Sequence, residues 1–213
     1  MEVAIAGGHG RIALLLGGIL VERGNAVWGL IRDPAQEDDL HAFGVEPVLC
    51  DLEAEDDVHS AVRGADAVVF AAGAGPGSGA QRKRTMDLGG ALKLIDAAKD
   101  EGVGRYLMVS AMGAANPPTE GGDVFGEYLR AKAEADRALE SSGLGFTIVR
   151  PGGLTDDPGS GLVRVGSGLE RGQVPRADVA AVLAAVLAAP GSVGKTFDLV
   201  AGEVPIEQAV ASL

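Results

Sequence analysis

The sequence predicts a three-layer α/β fold in which helices cover both faces of a doubly wound parallel sheet. Short β-branched runs alternate with helical patterns along the chain, which is typical of βαβ repetition. Two runs, residues 66–71 and 106–109, are apolar at every position after Asp66, as central strands of a parallel sheet usually are. A glycine cluster at residues 7–10 directly follows the first run and precedes an apolar helical pattern. A tight turn between a strand and a helix is therefore expected there.

The remaining elements follow from the same periodicities. Strands are predicted at residues 2–6, 26–31, 45–50, 66–71, 105–109 and 146–149, and helices near residues 11–23, 35–43, 54–63, 81–101 and 126–142. Residues 151–175 are rich in Gly, Pro and Ser. A helix over residues 176–188, a strand over residues 195–200 and a short helix from Pro205 complete the pattern. We expect a single domain over residues 1–213, with residues 151–175 and 200–213 as its substrate-side part.

Charge and hydropathy restrict the classes of partner that the protein is expected to bind. The formal net charge of −12 argues against a nucleic-acid partner, which needs a basic surface to neutralise phosphates. The longest apolar stretch, residues 179–189, is about half the length that a membrane span requires, so no membrane association is expected. The first strand leaves no room for a signal peptide, and the expected location is cytoplasmic. The expected partners are a small-molecule substrate and, at most, a second copy in a homodimer.

Cysteine and histidine usage points to no disulfide and no metal. The lone Cys50 ends an apolar run, so a buried side chain is favoured over a reactive thiol. The three histidines, His9, His41 and His59, lack the spacing of a metal site, and no metal is expected.

The glycine cluster has the spacing of a dinucleotide-binding turn. Gly8, Gly10 and Ala13 fit the Gly-x-Gly-x-x-Ala fingerprint of a Rossmann fold, and Gly7 opens a second, overlapping frame. The backbone N–H groups of such a turn and the positive end of the helix dipole attract a pyrophosphate. Because the chain holds 33 glycines, the spacing alone could arise by chance. The interpretation as a dinucleotide-binding turn therefore depends on the strand before it and the helix after it. The predicted cofactor contacts here are Gly7, Gly8, His9, Gly10, Arg11 and Ile12.

The residue after the second strand predicts which cofactor binds. Arg32 occupies the position that selects between the two cofactors, and Arg11 beside the glycines offers a second guanidinium for a phosphate. NADP(H) is therefore favoured over NAD(H). Asp33 keeps NAD(H) open, because a shift of one residue would place a carboxylate at that corner. The other interpretation of Asp33 is a cap of the turn before Pro34.

Two residues after the third strand are further cofactor candidates. Asp51 and Leu52 could contact the edge of the adenine. Asp51 could equally cap a helix beginning near Glu53, and both interpretations could hold.

Several motifs in order resemble one known family. They are the glycine turn, residues 70–73 after the fourth strand, residues 109–111 after the fifth, residues 128–132, residues 147–154 and residues 176–180. In this order they resemble the atypical short-chain dehydrogenase/reductases of the small NAD(P)H-binding, epimerase-like kind, over nearly the whole chain. The resemblance implies cofactor contacts from Ala71, Ala72, Gly73, Ser110, Ala111 and Lys132, and from Pro151, Gly152, Gly153 and Leu154 beside the nicotinamide.

A tyrosine and a lysine four residues apart form the candidate catalytic pair. Tyr128 and Lys132 would share one helix face, where the ammonium lowers the pKa of the phenol towards the working pH. Ser110 would supply the third group by hydrogen-bonding a substrate oxygen. Many family members carry this group further along, where Ala111 and Met112 stand here, so Ser110 is alternatively a cofactor contact or a strand cap. From composition alone, a solvated helix face is the other interpretation of the pair.

These observations predict an NADP(H)-dependent oxidoreductase. Hydride would pass to or from a small carbonyl or hydroxyl compound, a quinone or a flavin-like substrate. The alternatives are a non-catalytic NADP(H)-binding redox sensor and a sugar-type epimerase. A sensor has no chemical need for the Tyr128 and Lys132 pair, which favours the enzyme. The basic run at residues 82–84 could steer an anionic substrate, but a solvated helix start is favoured.

Overall fold

The eleven strands found within residues 1–75, 77–119 and 123–213, the part of the chain that the computed structural model describes, form two sheets. The strands are β1 (Glu2–Ala6), β2 (Ala26–Ile31), β3 (Glu46–Leu49), β4 (Ala67–Phe70), β5 (Arg105–Val109), β6 (Gly145–Pro151), β7 (Gly153–Thr155), β8 (Leu162–Gly166), β9 (Gln173–Pro175), β10 (Lys195–Ala201) and β11 (Val204–Pro205). The helices are α1 (Arg11–Glu22), α2 (Glu37–His41), α3 (Ala80–Arg82), α4 (Ala91–Asp100), α5 (Val124–Glu140), α6 (Arg176–Ala188) and α7 (Ile206–Ala211). A π-helical segment, Lys83–Gly90, joins α3 to α4.

The larger sheet has the strand order β11-β8-β10-β6-β5-β4-β1-β2-β3. All pairings from β3 to β10 are parallel, and β8 and β11 are added antiparallel at one edge. The order of the first six strands is that of a doubly wound Rossmann sheet, in which the order of the strands along the sheet reverses between β1 and β4 while all six remain parallel. This confirms the predicted fold class. The reversal leaves a crevice at the carboxyl ends of these strands, where such sheets bind ligands.

Two apolar clusters cover the faces of the sheet. Along β1, Val3 and Ile5 pack in the cluster that includes α1 and α6, whereas Ala4 and Ala6 pack in the cluster that includes α4 and α5. This alternation is the period of two that a strand buried on both faces must have. The central strands β4 and β5 are buried along their whole length, as their continuous apolar sequences predict.

The predicted helix over residues 54–63 is wrong. The segment instead forms turns and a 3₁₀ turn, His59–Ala61. Asp57 accepts hydrogen bonds from both the backbone and the ring of His59, and such local bonds compete with a helix. Trp28 of β2 donates its indole N–H to the carbonyl of Ala61 at 2.8 Å and holds the segment against the sheet. Side-chain bonds to the backbone therefore outweighed the helical periodicity.

The predicted helix over residues 81–101 is present but interrupted. Its Lys83–Gly90 stretch is π-helical, and Asp87 within it is fully buried. A π insertion adds a residue to a helical turn and is frequent at functional sites. Similarly, the predicted helix over residues 35–43 is a 3₁₀ turn followed by the short α2. Cys50 is buried as predicted, and burial raises the pKa of its thiol to about 11.

No helix in the three described ranges is long and apolar enough to cross a membrane.

Arg105 holds together the elements at the amino end of the central strands. Its guanidinium donates to the carbonyl of Gly145 at 2.7 Å, to the hydroxyls of Thr147 at 2.5 Å and Ser192 at 2.8 Å, and to the carbonyl of Val186 at 3.3 Å. These partners lie on β6, on α6 and on the turn that follows α6. Burial lowers the pKa of Arg105 to about 10, because the charge is removed from water without a carboxylate partner among the bonds described.

We expect Arg105→Ala to lower the free energy of unfolding by about 3 kcal/mol, because several buried acceptors lose their donor at once. Chemical denaturation measures this loss. Arg137→Ala, at an exposed position on α5, is the matched control and should change stability by less than about 0.5 kcal/mol. Equal stability of the two variants would contradict the role assigned to Arg105.

Candidate active site

A cleft with two connected parts lies at the carboxyl edge of the sheet. The larger cleft has a volume of about 920 Å³ and is lined by residues that include 71–75, 109–112 and 151–154. The smaller groove, of about 330 Å³, shares residues 71–75 with it and continues past the glycine turn to the ends of β2 and β3. The two parts together have the elongated form that a dinucleotide needs.

The glycine turn is wedged between two neighbouring segments. A Cβ at Gly7, whose φ is +76°, would lie 2.7 Å from the Cα of Ala72. A Cβ at Gly8 would lie 2.7 Å from the Cα of Gly29 in the middle of β2. The backbone N–H of Gly10 donates to the carbonyl of Gly7 at 2.8 Å and closes the turn. Only glycine permits this packing, because the opposing atoms are backbone and cannot move aside.

The N-terminus of α1 faces this turn without a protein anion. Gly10 is the cap residue, and no described side chain caps the helix or adds an acidic group in its first turn. The first N–H groups and the positive end of the helix dipole therefore suit a pyrophosphate. The residues present fit a dinucleotide at this position.

The other predicted residues of the turn face different parts of the site. His9 hydrogen-bonds Asp39 at 2.7 Å through its Nε2, and Ile12 lines the larger cleft. Arg11 forms an ion pair with Asp156, which also binds Arg176 at 2.6 Å. Hydrogen bonds from Arg11 hold the pKa of the Asp156 carboxyl below its ordinary value. Arg11 is thus held by the segment after β7, whereas Arg32 lines the smaller groove.

A carboxylate between two arginines marks the far end of the groove. Glu53 lies 3.8 Å from Arg32 and 2.9 Å from Arg82, and Thr85 donates its hydroxyl to Glu53 at 2.8 Å. Partial burial opposes ionisation of Glu53, but the hydrogen bonds from Arg82 and Thr85 outweigh it and lower its pKa. The groove therefore presents two guanidinium groups that are bridged by one carboxylate.

The acidic residues near this end cap turns. Asp33 accepts the N–H of Ala35 at 3.0 Å, which is the turn cap considered for it. Asp51 accepts the N–H of Glu53 at 2.9 Å, but it caps a turn and not the helix that was predicted there. Asp51 and Leu52 both line the groove.

Tyr128 and Lys132 lie on one face of α5 and both line the larger cleft. The Nζ of Lys132 lies 5.9 Å from the centroid of the Tyr128 ring. Burial raises the pKa of Tyr128; Lys132 opposes this rise, and the carboxylates of Asp87 and Asp136 add to it. The expected lowering is therefore wrong for this structure, since loss of hydration outweighs the single ammonium.

Lys132 is buried and fixed by three oxygen atoms. Its Nζ lies 3.4 Å from Oδ1 of Asp87 and donates to the carbonyls of Val109 at 3.2 Å and Ala72 at 3.5 Å. Asp87 also accepts the N–H of Ala74 at 3.2 Å. The pair thus joins α5, the π-helical segment and the loop after β4 at the floor of the cleft.

Ser110 belongs to a second buried network. Its hydroxyl donates to Oδ2 of Asp136 at 2.9 Å, and Arg150 binds the same oxygen at 2.9 Å. Burial raises the pKa of Asp136, opposed by Arg150 and Ser110. Ser110 and Ala111 line the larger cleft, but the hydroxyl proton of Ser110 is committed to Asp136.

The segment after β6 closes the far wall of the larger cleft. Pro151, Gly152, Gly153 and Leu154 all line it, as do Ala71, Ala72 and Gly73 opposite the turn. Gly153 donates its N–H to the carbonyl of Gly172 at 2.9 Å, and a Cβ at Gly152 would overlap that carbonyl. The glycine at position 152 is thus required by the neighbouring chain.

Sequence reasoning did not name Asp87, Phe125 or Arg171, which also line the larger cleft. The spacing of Phe125 and Tyr128, three apart on one helix, could have indicated a shared face. The burial of Asp87 had no signal, since it depends on the π insertion. The basic run at residues 82–84 lies at the start of a helical segment, as favoured from the sequence; its side chains contact Glu53, the carbonyl of Gly75 and Glu127, and that of Arg84 remains 58% exposed.

Comparison with known proteins agrees with this geometry. A family model for NAD(P)H-binding proteins matches residues 7–190. The uncharacterized sugar epimerase YhfK of Bacillus subtilis (strain 168) is 37% identical over 215 residues, which cover 100% of both chains. A solved structure from Bacillus halodurans, provisionally named an NAD-dependent epimerase/dehydratase, has a TM-score of 0.94 and 36% identity over 100% of both chains. The oxidoreductase ylbE of Lactococcus lactis has a TM-score of 0.86 and 26% identity, covering 100% of this chain and 96% of that one.

We expect Lys132→Met to destabilise the protein by about 3 kcal/mol, because it leaves the Asp87 carboxylate buried without its cation. The double variant Lys132→Met/Asp87→Leu should recover a large part of this loss, since both charges are then removed. Thermal and chemical unfolding of the two single variants and the double variant measures the coupling. Additive losses would contradict a buried ion pair.

Proposed function

This chain belongs to the NAD(P)H-binding family, and we propose that it is an NADP(H)-dependent oxidoreductase that reduces a carbonyl group on a small substrate. The observation that carries this proposal is the position of Tyr128 and Lys132 in an apolar cleft continuous with the glycine turn. A buried phenol with a raised pKa is protonated at neutral pH, as a group that donates a proton must be.

Each residue of the cleft has a separate role in the proposed reduction. A bound nicotinamide cofactor supplies the hydride that the carbonyl carbon gains. Tyr128 donates its phenol proton to the carbonyl oxygen, so that the product is an alcohol. Lys132 lies within 5.9 Å of the Tyr128 ring and stabilises the phenolate that remains until a proton from solvent replaces the one donated. Asp87 holds Lys132 in place for this role.

Arg32 supports the choice of NADP(H). It lines the groove at the end of β2, where a guanidinium suits the additional phosphate of this cofactor. Arg82 stands across Glu53 from it and offers a second cation. Asp33, which would favour NAD(H), instead caps the next turn.

A sugar-type epimerase is the second candidate, favoured by the name of the Bacillus subtilis relative. The same tyrosine and lysine could move a proton during epimerisation, but such a reaction regenerates the bound cofactor and consumes none. Stoichiometric loss of absorbance at 340 nm with a carbonyl substrate distinguishes the reductase from the epimerase. It also excludes a non-catalytic sensor, which binds NADPH without turnover.

Replacing Tyr128 with Phe should lower the rate of carbonyl reduction by about 100-fold or more, because the proton donor is lost. The affinity for NADPH should stay within about twofold of the wild type, since the aromatic ring remains. Stopped-flow absorbance and isothermal titration measure the two quantities. A variant with full activity would remove Tyr128 from the mechanism.

The direction of the Tyr128 pKa shift sets the pH profile. The phenol is protonated below its raised pKa, so the reduction rate of the wild type should not fall between pH 7 and about pH 9 through loss of this proton. A fall should begin only as the pH rises through that pKa. An alkaline limb near neutral pH, absent in Tyr128→Phe, would contradict the raised pKa.

Arg32→Ala should weaken NADPH binding by about tenfold and leave NADH binding unchanged, because only NADPH carries the phosphate that the guanidinium binds. Fluorescence titration with both cofactors measures this. Arg23→Ala, at an exposed position after α1, is the matched control for the loss of one positive charge. Equal weakening of both cofactors would overturn the NADP(H) assignment.

A further inference from the structure

We propose that the substrate is a planar, aromatic carbonyl compound that carries an anionic group, and that Arg171 binds this group. The inference rests on the proposed reductase function and adds the chemical class of its substrate. It is carried by the charge of the cleft and by the side chains that wall it.

The larger cleft is cationic in a strongly acidic protein. The chain has a formal net charge of −12, yet the described residues that line the cleft include the cations Lys83, Lys132, Arg171 and Arg176 and, among them, one carboxylate, Asp87. Lys132 and Asp87 neutralise each other at 3.4 Å. A local excess of one charge in a cleft with apolar walls attracts ligands of the opposite charge.

Two of these cations have no carboxylate partner within the described part of the chain. Arg176 is bound to Asp156 at 2.6 Å, which leaves Lys83 and Arg171. Lys83 donates to the carbonyl of Gly75 at 2.9 Å and is thereby held at the cleft. The side chain of Arg171 is exposed and forms no ion pair or hydrogen bond in the described structure. Its planar guanidinium is suited to a carboxylate, which it can bind through two parallel hydrogen bonds.

The backbone on either side holds Arg171 beside the apolar wall. Gly172, its neighbour, accepts the N–H of Gly153 at 2.9 Å, and Leu154 follows directly. Arg171 therefore lies where the loop before β9 meets the start of β7. An anion bound there is in the same cleft as the Tyr128 side chain.

An exposed aromatic side chain provides a surface for a planar ring. Phe125 is 52% exposed, although it lines the cleft, and Val124 and Leu154 beside it are also exposed. The rings of Phe125 and Tyr128 lie 5.9 Å apart between centroids with an interplanar angle of 33°. The ammonium of Lys83 lies 5.2 Å from the Tyr128 centroid. Exposed apolar groups gathered at one cleft mark a binding surface, and aromatic rings favour stacked or tilted partners.

These features combine into one binding mode. The substrate ring packs on Phe125, its carbonyl oxygen meets the Tyr128 hydroxyl, and its anionic group binds Arg171. A neutral substrate of the same shape would leave Arg171 without a partner. The carboxylate of the substrate is thus a determinant of specificity.

Isothermal titration of the NADP⁺-loaded protein with 6-formyl-2-naphthoate and with its methyl ester tests the proposal. We expect the carboxylate to bind about tenfold more tightly than the neutral ester, because only the carboxylate pairs with the guanidinium. Arg171→Gln should remove this preference, and Arg23→Gln, with the same change of charge at a distant exposed position, should retain it. Phe125→Leu should weaken both probes by about fivefold, since both rings lose their aromatic partner.

Equal affinity of the two probes for the wild type, or a preference that survives in Arg171→Gln, overturns the proposal, as does failure of both probes to bind. Reduction of the ester and the carboxylate at equal rates with NADPH would overturn this inference and leave the reductase intact. A protein that binds NADPH but reduces no aldehyde, with or without a carboxylate, would overturn the reductase as well.

Discussion

The site depends on the close contact of the glycine turn with β2 and with the segment after β4. The backbone atoms of Gly29 and Ala72 leave no room for a side chain at Gly8 or Gly7. This packing fixes where α1 begins and directs its N-terminus towards the groove. It also brings the loop after β4 against the turn, so that one edge of the sheet carries both parts of the cleft. A larger residue at either glycine would separate the elements to which we assign the binding of the two halves of a dinucleotide.

Buried charges then set the chemistry of the larger cleft. Lys132 is held by Asp87, and Ser110 is engaged with Asp136 and Arg150. Burial raises the pKa of Tyr128; Lys132 opposes this rise, and the carboxylates of Asp87 and Asp136 in the two networks add to it. A phenol in this state is protonated at neutral pH, as the proposed donation of a proton to a carbonyl oxygen requires.

The sequence predicted the sheet well and the site only in part. Apolar runs define β1, β2, β4 and β5, because a strand buried on both faces is mostly apolar and a polar side chain on it, such as Arg105, needs buried hydrogen-bond partners. The segment over residues 54–63 was mistaken for a helix, since its competing side-chain bonds involve the distant Trp28 and are not encoded in local periodicity. The glycine turn and the spacing of Tyr128 and Lys132 could be recognised in the sequence, because each motif is formed by residues that are close together in the chain.

The contacts that position the charged side chains of the site could not be predicted from the sequence. Asp87 reaches Lys132 only through the π insertion, and Arg171 reaches the cleft only through pairing of β7 with β9. Arg11 was expected to join Arg32 at a phosphate, but its ion pair with Asp156 holds it at the segment after β7, and it lines neither part of the cleft. Long-range packing decides such contacts, and a single sequence carries no local signal of it.

Isothermal titration of NADPH into the wild type, Gly8→Ala and Gly191→Ala tests whether the packing of the glycine turn builds the cofactor site. Gly191 has no neighbour within 4 Å of an added Cβ, so this variant controls for the glycine-to-alanine change itself. We expect one NADPH per chain for the wild type and Gly191→Ala, and affinity lower by about tenfold or more for folded Gly8→Ala. Unchanged affinity in a folded Gly8→Ala protein would contradict a cofactor site built on the glycine turn.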